Sequence, residues 1–69
     1  MDRVQVQSSH IAEIGYDSTT MTLEVAFKDG AVYQYYDVPE VVYQGLMNAG
    51  SKGKYLNGQI MHSYRYTKV

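Results

Sequence analysis

The 69 residues contain no cysteine and no tryptophan, and only one proline and one phenylalanine. The missing thiols exclude disulfides and thiolate metal sites and suit a reducing cytoplasm. No stretch approaches the ~20 apolar residues of a membrane span, and the start, Met1-Asp2-Arg3-Val4-Gln5, has no signal-type apolar run. A cytoplasmic location without membrane contact is therefore expected. A chain this short holds one domain, residues 1–69. So small a core barely offsets chain entropy, and domains of this size gain from a disulfide, a metal or a partner subunit. With thiols absent, homo-oligomerisation is the expected staple.

Acidic residues are also missing from everything after Glu40. All seven lie at or before Glu40, accompanied only by Arg3 and Lys28, whereas Lys52, Lys54, Arg65 and Lys68 follow it. The two halves thus carry −5 and +4, a separation hidden by the net charge of −1. Such a tail is a candidate anion-binding face. The alternative is intramolecular pairing, in which the basic tail neutralises acids on neighbouring elements.

Tyrosine is what the chain has in excess: eight residues, at 16, 33, 35, 36, 43, 55, 64 and 66. A buried phenol needs a hydrogen-bond partner, so bulk alone would favour Phe or Leu. Half-buried rings with wet hydroxyls are expected, as at interfaces and base-stacking platforms. Tyrosine also fits a sheet with one buried face, without any binding role.

The apolar pattern predicts an α+β fold. A first strand covers Ser9 to Tyr16 and ends in the turn-rich Asp17-Ser18-Thr19-Thr20. Met21, Leu23, Val25 and Phe27 then alternate with smaller or polar residues at the strand period of two. Lys28-Asp29-Gly30 supplies a hairpin turn, and Ala31 to Tyr36 returns as a third antiparallel strand. Asp37-Val38-Pro39-Glu40 reads as a helix opening with Asp37 as the cap, and Gly50 as the stop after Ala49. Ser51 is expected to cap a second helix reaching Met61 or His62, with Leu56, Ile60 and Tyr64 along its inner side. Tyr64 to Val69 alternates again, either as a fourth strand closing a sheet edge or as an arm pairing with another subunit.

No catalytic constellation is legible. His10 and His62 stand apart, with no HxH or HxxxH, and the carboxylates are scattered over turns and strand edges. Ser8-Ser9-His10 sets hydroxyls beside an imidazole, but neighbours on a strand face opposite ways. No catalytic residue, metal ligand or cofactor is therefore assigned. Gly50-Ser51-Lys52-Gly53-Lys54-Tyr55-Leu56-Asn57 is the best binding patch: a capped helix start, two lysines, a close-approach glycine, a ring and an amide. It lacks the spacing and signature of a P-loop. An ordinary capped helix with solvated lysines would have the same sequence.

Several spaced signatures resemble the KTSC domain. They are Ser8-Ser9-x-Ile11, Ile14-Gly15-Tyr16-Asp17, Leu23-x-Val25-x-Phe27-x-x-Gly30-x-x-Tyr33-x-Tyr35-x-x-Val38-Pro39, Ser51-x-Gly53-x-Tyr55-x-Asn57, Ile60 and Tyr64. That short module is named for its place at the C-terminus of some lysyl-tRNA synthetases, and it also stands alone in bacteria and phages. The resemblance implies RNA contact through the synthetase link. It is equally compatible with an oligomeric phage sponge that sequesters cyclic nucleotide immune signals in anti-defence. Leu56 stands where many relatives are expected to carry an aromatic. The expectation is a non-enzymatic binder of a nucleotide or RNA through Ser51, Lys52, Gly53, Lys54, Tyr55, Asn57, Tyr64 and Arg65. The alternative is a protein-interaction module with a tyrosine-rich interface and no nucleotide ligand.

Overall fold

A computed structural model describes residues 1–69. The strands are β1 (Arg3–Gln5), β2 (Ile11–Asp17), β3 (Thr22–Phe27), β4 (Val32–Tyr35) and β5 (Tyr66–Lys68); α1 (Glu40–Asn48) and α2 (Lys52–Tyr55) lie between β4 and β5. The sheet is fully antiparallel, with strand order β1-β2-β3-β4-β5. The three expected strands are its centre. Tyr33, Gln34 and Tyr35 pair with Lys68, Thr67 and Tyr66, so the C-terminal segment closes a sheet edge of its own chain.

The first strand is the addition that apolar patterning misses, because all three of its residues are exposed. Its place depends on Gly15, which pairs with Arg3. A β-carbon at Gly15 would lie 2.6 Å from the Asp2 carbonyl oxygen and 2.9 Å from Arg3 Cγ, so only glycine admits β1 this closely. Arg3 then bridges Glu13 at 3.2 Å and Glu24 at 3.5 Å. Gln34 Nε2 donates to Glu24 Oε1 and Tyr36 Oη donates to Gln34 Oε1, which extends one polar network across the outer face of the sheet.

The inner face carries the core. Ile11, Ile14, Leu23, Val25 and Tyr35 from the sheet meet Val38, Leu46, Leu56 and Ile60 from the helical layer. Alternation in β3 and a register shift between Ile11 and Glu13 of β2, which turns both Ile11 and Ile14 inward, supply the sheet half, and the i, i+4 spacing of Leu56 and Ile60 supplies part of the other. Gly30, at φ 98°, makes the β3–β4 turn that Asp-Gly predicts, and the Asp29 carboxylate accepts the Ala31 N–H.

Three local expectations change. Asp37 does not cap α1: it sits in the left-handed region at φ 58°, Pro39 occupies the cap position, and no side chain caps that end. Asp37 instead accepts a hydrogen bond from Arg65 Nη2 at 3.0 Å. The end of α1 needs no glycine, because Ala49 turns to extended backbone at φ −68°, ψ 140°. The second helix does begin after Ser51, whose side chain accepts the Lys54 N–H, but it changes to a wider π-helical turn over Leu56–Ile60. That turn keeps Leu56 and Ile60 pointing inward. No helix is long and apolar enough to cross a membrane.

Candidate functional site

The residues expected to form one anion site are dispersed among several local roles. Ser51 caps α2. Lys52 turns back toward α1, its Nζ 3.4 Å from the Ala49 carbonyl, while Lys54 is exposed. Two places apart on a helix, these side chains leave on nearly opposite sides. Tyr55 is half-buried and its ring lies across Gly45 of α1. Leu56, where relatives are expected to carry a ring, is almost fully buried against the core and offers no exposed stacking surface. Tyr64 packs against the core margin. Arg65 lies over the Tyr36 ring at 5.7 Å and pairs with Asp37.

Gly53 and Asn57 have a different setting. They line an open cleft of ≈ 530 Å³ together with Ser9, His10, Lys28 and Asp29, over a floor of Ile11, Phe27 and Leu56. Three segments far apart in sequence build it: the bend before β2, the β3–β4 hairpin and the α2–π segment. Ser8 shapes the bend, because its Oγ accepts the N–H groups of His10 and Ile11 at 3.4 and 3.2 Å. The Lys28 N–H donates to the His10 carbonyl at 2.8 Å and ties the bend to the hairpin. Ser9 and His10 escape strand alternation because they precede β2, so both reach the same cleft.

Ser9, His10, Lys28 and Asn57 can donate hydrogen bonds into this space. Asp29 is the single carboxylate among the lining residues, and its Oδ1 is occupied by the Ala31 N–H. Ser9 and His10 make no hydrogen bond to each other, and no three metal-ligating side chains gather anywhere in the structure. The cleft is thus a donor-rich rim over an apolar floor.

The sequence pattern set Ser9 and His10 aside as a catalytic pair and did not place them, Lys28 or Asp29 beside Gly53 and Asn57, because no local spacing relates these three segments. The available signal lay in the family resemblance, whose quoted signatures include Ser9, Ile11, Phe27, Gly53 and Asn57. The fold brings these five residues together in one cleft.

A second cavity of ≈ 360 Å³ adjoins the first through Phe27 and Asp29 and is walled by Tyr33, Tyr35, Met61 and Tyr66, with Lys68 and Ala31 completing it. Phe27 meets Tyr33 edge-on at 5.8 Å, and Tyr66 lies 5.8 and 5.9 Å from Tyr33 and Tyr35. Burial raises the Tyr35 phenol above its ordinary value, with smaller contributions from Tyr33 and Tyr66. Tyr16 is raised as well, first by burial and then by the nearby charges of Glu40 and Asp17.

A small α+β domain with two neighbouring clefts on one side of an antiparallel sheet is the class these features define. The KTSC domain model matches residues 7–64, and the chain belongs to that family. An uncharacterized protein of Stutzerimonas stutzeri is 41% identical over 70 residues, which cover 100% of this chain and 99% of that protein. The lysine–tRNA ligase of Trichormus variabilis is 41% identical over 63 residues, covering 91% of this chain but only 11% of the ligase. The crystal structure of a KTSC domain protein from Yersinia pestis superposes with a TM-score of 0.93 at 40% identity, covering 99% of this chain and 96% of that one.

Proposed function

We propose that this KTSC domain is a non-enzymatic binding protein for a phosphate-bearing ligand, a nucleotide or RNA, working in a reducing cytoplasm. The observation that carries the reading is the convergence of Ser9, Gly53 and Asn57, all part of the family resemblance, with His10 and Lys28 around one cleft. Each of Ser9, His10, Lys28 and Asn57 has a donor to offer an anion, and Asp29 is the one carboxylate on the rim. Lysine–tRNA ligases that carry a segment similar to nearly the whole chain add support for RNA. Within this reading, a sponge for cyclic nucleotides requires a closed oligomer, and the exposed edge strands β1 and β5 are available for it.

The test is calorimetric titration with cyclic dinucleotides, mononucleotides and short single-stranded RNA at low and moderate salt. Affinity for RNA falls steeply with salt because neutralised phosphates release counterions, whereas affinity for a small nucleotide falls moderately. Lys28→Glu with Asn57→Ala is expected to abolish binding, while Lys52→Glu with Lys54→Glu leaves it in place. The reverse pattern would return the site to the start of α2. Absence of binding by any of these ligands overturns the reading and leaves the protein-interaction module, for which the exposed Tyr66 is the natural contact. Light-scattering mass decides the sponge: a monomer rules it out.

A further inference from the structure

Tyr35 is only 2% exposed, yet its hydroxyl makes no hydrogen bond within the protein and opens into the cavity beside β5. A phenol buried for bulk alone would be a phenylalanine, and the phenols of Tyr16 and Tyr36 do find partners, at the Val38 carbonyl and Gln34. Tyr33 and Tyr66 line the same cavity with hydroxyls that also have no intramolecular partner. Three unpaired phenols are thus held at one aromatic wall, with the Met61 thioether opposite the sheet and Lys68 in register with Tyr33.

We infer that this cavity is a seat for a nucleobase-type heteroaromatic ring. The cavity volume, ≈ 360 Å³, lies within the ~300–1,000 Å³ common for small-molecule sites. An aliphatic or plain hydrocarbon occupant would leave the Tyr35 hydroxyl unpaired in an apolar setting. A base edge carries both donors and acceptors and satisfies phenols that can act as either. The rings of Tyr33, Tyr35 and Tyr66 already touch, at 5.8–6.4 Å between centroids, so they do not sandwich a ligand. The incoming ring stacks instead on Tyr66, which is 57% exposed, and turns its edge toward the accessible hydroxyls of Tyr33 and Tyr35.

Position links the two clefts. Phe27 and Asp29 line both, so a ligand with its base on Tyr66 and its phosphate near Lys28 crosses that shared wall. The inference rests on the proposed function for this phosphate half, whereas the base seat stands on its own geometry. It also moves aromatic recognition away from Tyr55 and Tyr64, whose rings pack against the protein.

The experiment uses the full chain with ¹³C-methyl methionine and adenosine, a nucleoside without phosphate. Met61 is the methionine in the cavity, and Met1, Met21 and Met47 serve as internal controls. Adenosine is expected to shift the Met61 methyl in a saturable manner and leave the other three still. Tyr66→Ala should weaken that response at least about tenfold, and Tyr66→Phe should retain most of it, because stacking needs the ring. Tyr35→Phe should weaken binding without altering the thermal melt. A Met61 signal that does not move, or four methyls that shift alike, overturns the seat. A parallel titration with inorganic phosphate, followed at the His10 ring protons, reads the other half. Movement of His10 alone supports the phosphate reading and rejects the base seat, and movement of Met61 alone does the opposite.

Discussion

The Tyr55 ring lies directly over the α-carbon of Gly45 and locks α2 to α1. A β-carbon at Gly45 would come within 2.8 Å of Tyr55 Cζ. Alanine is favoured over glycine in a helix by about 1 kcal/mol, but overpacking costs about 1–3 kcal/mol. Gly45→Ala is therefore expected to destabilise the fold by about 1–2 kcal/mol in urea denaturation. Adding Tyr55→Ala should recover the helix-propensity gain, so the two substitutions couple in a double-mutant cycle. Simple additivity would mean that this contact does not hold the helices together.

Two tyrosine-to-phenylalanine changes should separate by their partners. Tyr16 Oη donates to the Val38 carbonyl at 2.5 Å, and its ring stacks on Tyr43 at 4.7 Å. Tyr16→Phe loses that bond beside a buried residue and is expected to cost about 1 kcal/mol. Tyr35→Phe loses no intramolecular bond and should remain within about 0.5 kcal/mol of the parent protein. Paired thermal melts measure both.

Alkaline pH should destabilise the fold. Tyr16 and Tyr35 are both raised above the ordinary tyrosine value, chiefly by burial. The unfolded chain therefore loses these protons first, near pH ~10. Stability from the two groups is complete below that pH and is lost as pH climbs through their higher folded values. Urea midpoints followed upward from about pH 8 should hold and then fall beyond about pH 10. Tyr35→Phe should make the fall shallower, and an unchanged curve would show that Tyr35 does not contribute.

Core truncation has a large effect in so short a chain. Leu46 is fully buried and is the α1 residue in the central cluster. Leu46→Ala should cost about 2–5 kcal/mol. At ~0.05–0.15 kcal/mol per residue, that is much of the total stability of a domain this size. Val41, on the same helix but 74% exposed, provides the control: Val41→Ala should lie within about 0.5 kcal/mol. Circular dichroism at 37 °C distinguishes the two variants.

Arg65 and Asp37 show how far the separation of charge was resolved within the chain. Their pair, at 3.0 Å, joins the basic tail to the acidic half, but both side chains are mostly exposed, and such a bond adds little. Lys28, Lys52, Lys54 and Lys68 form no ion pair. Intramolecular neutralisation thus accounts for the arginine and not for the lysines.

The sequence by itself determined the parts governed by local rules. Alternation in Leu23, Val25 and Phe27 set a strand and its buried face, Asp29-Gly30 set the hairpin, and Ser51 set a helix start, because each depends on residues a few places apart. The tertiary structure alone decided which residues share a cleft. Ser9, Lys28 and Asn57 meet because the hairpin is tied to His10 and the π turn directs Leu56 and Ile60 into the core. Long-range pairing leaves no period in the sequence, so β1 and both clefts were invisible there. Even the eight tyrosines, obvious in composition, gained separate meanings only when packing gave some hydroxyls a partner and left that of Tyr35 without one.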